Sequence, residues 1–118
     1  MDELLQVLVS CRKDFMLETD NYGYWKVNMK AIIQGIDEDA WTTVEEGYEV
    51  PTIEERDGSI VIKPKTKWTK AEKNMSRYNA KDLSTIFTSV NKNKFKLIQR
   101  CSSAKEAWDK LEKVFDSV

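Results

Sequence analysis

Histidine is absent from all 118 positions. That removes the one side chain whose ordinary pKa falls between 5 and 8, and with it the commonest general base and metal ligand. Cysteine occurs twice, as Cys11 and Cys101, and neither has a neighbour at zinc-motif spacing. No zinc site is expected, and both read as buried, reduced thiols of a cytosolic or nuclear protein. No apolar run approaches the roughly 20 residues that span a bilayer. The opening "MDELLQVLVSCRKDF" places acids ahead of its apolar patch and no small-residue cleavage site after it. It does not read as a signal peptide, and no membrane partner is expected. A Walker A motif, a Gly-rich phosphate loop and a GxSxG elbow are missing as well. Carboxylates abound, yet none stands in an apolar setting that would tune its pKa. The chain is therefore not expected to be an enzyme, nor to need a nucleotide, a small-molecule substrate or any other cofactor.

What is present is ordinary globular material, 41% hydrophobic and 33% charged. A chain of this length buries a core without metal or disulfides, and it reads as one domain over residues 1–118. Leu4, Leu8, Cys11 and Phe15, with Leu5 and Met16 beside them, recur at helical spacing and predict an amphipathic helix over 3–17. "ETDN" then supplies capping candidates before Tyr22. Over 22–35, Tyr22, Trp25, Met29, Ile32, Ile33 and Ile36 form a stripe with Lys26 and Lys30 beside it, and Gly35 is a plausible stop. A third helix is expected at 37–45, with Asp37 as N-cap, Glu38 and Asp39 on the positive dipole end, and Ala40, Trp41 and Val44 inward.

The next stretch, "EEGYEVPTIEERDGSIVIKPKTKW", holds Gly47, Gly58 and both prolines. Asp57-Gly58 between β-rich flanks suggests a hairpin, Thr52–Glu55 against Ile60–Lys63, with an irregular loop as the alternative. Helices resume after Trp68. "TKAE" at 69–72 fits a capping box opening a long helix that ends near Ser89, with Met75, Tyr78, Leu83, Ile86, Phe87 and Val90 inward. A short helix carries Phe95, Leu97 and Ile98. "SAKE" at 103–106 opens the last helix, on which Ala107, Trp108, Leu111, Val114 and Phe115 keep the apolar rhythm. The reading is an all-α bundle of five to six helices, with one long hairpin-like or disordered loop at about 46–67. Its expected core is Tyr22, Trp25, Met29, Trp41, Trp68, Leu83, Ile86, Trp108 and Leu111.

The four tryptophans are separated by 16, 27 and 40 positions. That is too irregular for a Myb-like DNA-binding repeat, and all but Trp68 lie on apolar helical stripes, so they read as core. Charge is more telling than its sum of −1. Residues 37–57 hold nine acids and one base, whereas 63–105 hold twelve bases and two acids. These are either ordinary solvated faces, an electrostatic contact between copies, or a weak attraction for nucleic acid. The densest basic group is Lys92, Lys94, Lys96 and Arg100, and Glu45 and Glu46 belong to the complementary block.

"NYGYWKVNMKAII", "DAWTTVEEGYEVP" and "KWTKAEKNMSRYNAKDLSTIFTSVNKNKFKLIQRCSSAKEAWDKLEKVF", in that order, resemble the N-terminal Gag region of copia-type LTR retrotransposons, plant elements in particular. The resemblance covers roughly residues 20–116 and leaves 1–15 outside. It implies a non-catalytic capsid N-terminal lobe, one that self-associates with other Gag copies into the virus-like particle enclosing element RNA. It also implies cytoplasmic particles, with the nucleus as the alternative location. Trp25, Trp41, Trp68 and Trp108 carry over as fold-defining positions. No CCHC zinc knuckle accompanies them, so RNA capture by one does not carry over, and any RNA contact is expected to be weak. Two alternatives stand beside the shell module. One is a domesticated Gag-derived domain serving as a protein-interaction adaptor; the other is a weak, non-specific nucleic-acid-binding module.

Overall fold

A computed structural model describes residues 16–116. Among them, five α-helices, one 3-10 turn (Lys65–Lys67) and a two-stranded hairpin account for the regular structure, and the helical content is 64%. The helices are α1 (Tyr22–Ile36), α2 (Glu38–Glu46), α3 (Lys70–Thr88), α4 (Lys92–Ile98) and α5 (Ala104–Phe115). The hairpin pairs β1 (Thr52–Glu54) with β2 (Ile60–Ile62). The expected all-α bundle with one hairpin excursion is what forms. The helix expected over 3–17 falls outside the described residues except for its end. There Met16 and Leu17 are not helical, and Leu17 makes a parallel bridge with Val90.

Local chemistry sets most boundaries. Asp37 Oδ1 accepts the Asp39 N–H at 2.8 Å, capping α2 as its sequence position suggests. Because this cap follows at once, α1 runs through Gly35 to Ile36, and Gly35 is no stop. Thr69 and Glu72 close a reciprocal capping box at the start of α3, with bonds of 3.1 and 2.8 Å. At α5 only half the box forms. Ser103 Oγ accepts the Glu106 N–H at 3.2 Å, but the Glu106 carboxylate turns to the Ser102 N–H instead. Asn21 at the head of α1 makes no side-chain cap. Its Oδ1 accepts the Glu18 N–H at 2.7 Å, and its Nδ2 donates to Met16 O at 3.0 Å, fixing the entering chain.

Helix α3 packs against α2 on one side and α5 on the other, and α1 packs on α2. Leu17, Trp25, Met29, Ile33, Ile86, Ile98 and Leu111 are fully buried between them. The Ser89 carbonyl ties three elements together at the end of α3. It accepts the Leu17 N–H at 2.7 Å and the Trp25 Nε1–H at 3.0 Å. Asn79 joins α3 to the start of α5, accepting the Ala104 N–H at 2.9 Å and donating to Ser102 O.

Several inward assignments change. The buried face of α3 is Asn79, Asp82, Thr85 and Ile86, while Met75, Tyr78, Leu83 and Phe87 lie half-buried at its margins. Helix α3 has neighbours on two sides, so its buried arc is centred between them and the larger side chains splay to the edges. Leu97 and Val114 face solvent, since short α4 and the last turn of α5 each meet the body on one side only.

Candidate interaction surfaces

Five of the aromatic residues form one chain of contacts through the interior. Phe115 stacks on Tyr22, Tyr22 on Trp25 and Trp25 on Trp108, with centroid separations of 5.7, 6.0 and 5.6 Å. Trp41 meets Trp108 edge to face at 5.2 Å. Tyr22, Trp25, Met29, Trp41, Ile86, Trp108 and Leu111 are buried, as expected of core positions. Leu83 is half-buried against that core. Trp68 is not in it. Half-buried at the hairpin exit, it donates from Nε1 to Lys63 O at 3.0 Å and lies under the Lys65 ammonium. Burial pushes the Tyr22 phenol up to about 12.

The outer end of this chain floors a groove of about 480 Å³ between α1, α2 and α5. Trp41, Val44 and Trp108 form the floor, Lys26 and Lys30 one rim, and Glu45, Asp109 and Glu112 the other. Lys26 is tied down by Glu112 and Asp116 at 3.1 and 3.2 Å, and those bonds raise its pKa. Lys30 sits 5.3 Å over the Trp41 ring. Such a groove, apolar below and charged on both rims, suits non-covalent recognition. Among the described residues there is no group of three or more Asp, Glu or Cys placed to hold a metal ion.

The basic group splits. Lys94 is half-buried with its ammonium 5.4 Å over the Phe115 ring. On helical spacing Lys92 and Lys96 point the other way, and with Arg100 they remain exposed. Glu45 lines the groove just described, whereas Glu46 faces the start of α5 with Tyr48, Glu49 and Lys105. The structure thus brings none of the four cations to Glu45 or Glu46 within one copy.

Two features escaped the sequence reading. Lys70, Lys73, Arg77 and Lys81 are all exposed on α3, at spacings of 3, 4 and 4 that put them on one ridge. The spacing alone was signal enough. The second is Asp82, which is fully buried with neither carboxylate oxygen bonded among the described residues. Burial alone pushes its pKa up to about 7. This corrects the expectation that no carboxylate stands in an apolar setting. Asp82 sits four residues after Tyr78 and four before Ile86, in the middle of the α3 stripe. It lines none of the grooves described above.

The fold and its surfaces define an all-α module with its aromatic side chains turned mostly inward and its outer face patterned by charge. The chain matches the gag-polypeptide of LTR copia-type over residues 29–118, and it belongs to that family. Tyr22 and Trp25 lie just ahead of the matched residues. No curated protein and no solved structure matches the chain.

Proposed function

We propose that this chain is a non-catalytic structural module of a retrotransposon Gag polyprotein, an N-terminal capsid lobe that packs with other Gag copies into a virus-like particle. Membership of the copia-type Gag family carries the reading. The structure is in keeping with it: the apolar payload is mostly internal, so the outer surface is available for contacts between copies. The proposed lattice contact joins the exposed Lys92, Lys96 and Arg100 of one copy to the acidic α2 end, Glu45 and Glu46, of the next. A repeated head-to-tail contact of this kind closes into rings or shells. RNA is enclosed by the particle, and the α3 ridge contributes at most weak, sequence-independent attraction, because Asp37 and Asp39 sit against α3 at Tyr78. The particles are placed in the cytoplasm.

Expression of the polyprotein that contains this chain tests the reading. Element RNA should become nuclease-resistant inside particles visible by electron microscopy. Gag that stays dispersed, with its RNA fully digested, would overturn it.

A further inference from the structure

Among the described residues, the hairpin carries an unpaired strand edge of unusual composition. Every residue of β2 is exposed, and Ile60 and Ile62, at 70% and 71%, are among the most exposed large apolar residues described. They share one face of the hairpin, while Val61 lies on the other beside Ile53. The turn is well made. Gly58, at φ +87°, takes the left-handed position of a three-residue loop, and Asp57 accepts the Ser59 N–H at 2.9 Å. Below it, Lys63 reaches Glu72 on α3 at 2.8 Å. A hairpin so fixed at tip and base holds its outer edge in place.

The hydrogen-bond parity shows what that edge presents. The Glu55 N–H donates to Ser59 O and the Lys63 N–H to Pro51 O. Bonded pairs in an antiparallel ladder alternate, so Ile53 and Val61 form the bonded pair between these two. Ile60 and Ile62 therefore turn their N–H and C=O groups away from β1. Beyond them the edge stops, because Pro64 has no N–H to offer and Gly58 is already in the turn.

We propose that this edge is a self-association site, at which β2 of one copy pairs antiparallel with β2 of a second copy about a two-fold axis through Val61. In that register Ile60 lies opposite Ile62 of the second copy, and Ile62 opposite its Ile60. All four outward N–H and C=O groups of each strand find partners, and the four isoleucines form one apolar patch. The ends match as well. The acidic tip of one hairpin, Glu55 and Asp57, lies beside the basic base of the other, Lys65 and Lys67, and the two-fold repeats that pairing at the far end. An edge only two outward residues long fits another equally short one, whereas a longer strand would meet the donorless Pro64. The contact is well below the roughly 1,000 Å² of a stable interface, so it dissociates in dilute solution and acts where copies are already crowded together. It goes beyond the shell reading, adding a two-fold contact at the hairpin to the head-to-tail contact of the helices.

Val61 on the axis would face its own copy as a non-hydrogen-bonded pair, with Cα atoms about 4.5 Å apart, inside the range a disulfide bridges. The test is Val61→Cys in the full chain, with Cys11→Ser and Cys101→Ala removing the native thiols. Mild oxidation should give a disulfide-linked dimer well above that from Thr52→Cys on the other strand. Adding Ile62→Pro, which removes an outward N–H and spares the ladder to β1, should abolish the dimer and leave the melting temperature unchanged. Ile60→Lys with Ile62→Lys should do the same. Equal crosslinking of the two cysteine variants would overturn the proposal. So would lysine substitutions that lower the melting temperature without affecting the dimer, since the two isoleucines would then be packing within one copy instead of making the contact. Particle assembly by the polyprotein is scored separately. Particles without the Val61 crosslink reject this contact and keep the shell reading, and the crosslink without particles does the reverse.

Discussion

Asp82 is the residue whose behaviour departs furthest from its ordinary chemistry. Its carboxyl is held at about 7 in the fold against an ordinary 3.8, solely by burial. Between those values the folded chain binds a proton that the unfolded chain releases. The stability this group provides is therefore complete below about pH 4 and is lost as pH rises towards 7. The swing is about 4 kcal/mol, at 1.36 kcal/mol per unit. Urea melts should show wild type losing stability between pH 4.5 and 7.5, with Asp82→Asn flattening the profile and exceeding wild type at pH 8. The tryptophans make the complementary case. Trp25→Ala and Trp108→Ala should each cost about 3–5 kcal/mol by denaturant melts, as large buried aromatics do. Trp68→Ala, half-buried at the hairpin exit, should cost clearly less. Core aromatics were legible because they recur at helical spacing. Asp82 is hard to read from sequence because charge ordinarily marks exposure, although its place on the stripe between Tyr78 and Ile86 puts it inside.

At the scale of elements, capping chemistry was the most readable feature. Asp37, Thr69 and Ser103 each accept a backbone N–H of the helix they precede, and those boundaries follow. Gly35 misled because glycine stops a helix only when the backbone turns left-handed, and here Asp37 starts a new helix first. Gly47 is the glycine that matters. It ends α2 at φ 91°, ψ 174°, a conformation nearly closed to other residues, and a Cβ there would come within 3.0 Å of Lys105 Cδ. Gly47→Ala should therefore cost about 1–3 kcal/mol in a thermal or urea melt, with no change in far-ultraviolet helix signal below the transition. The hairpin itself was legible from Asp57-Gly58. The half-buried margins of α3 were not, because periodicity gives the phase of a stripe but not how many neighbours cover it.

For the whole molecule, the family was legible from the ordered motifs, and the Gag match over residues 29–118 agrees with them. The candidate surface was only half legible. Sequence proximity grouped Lys92, Lys94, Lys96 and Arg100, but helical geometry turns Lys94 onto Phe115 and leaves three outward cations. Exposed charge pairs contribute only about 0–1 kcal/mol each and are screened beyond about 8 Å at physiological salt, so a shell built on them relies on many repeats. The proposed function rests on this surface and not on any chemistry inside the chain. Sedimentation of the full Gag polyprotein at low and high salt, wild type beside Lys92→Glu/Lys96→Glu/Arg100→Glu, tests it most directly. Wild-type particles should be salt-sensitive, and the variant should melt at the wild-type temperature but assemble poorly. Assembly unaffected by both salt and charge reversal would contradict it.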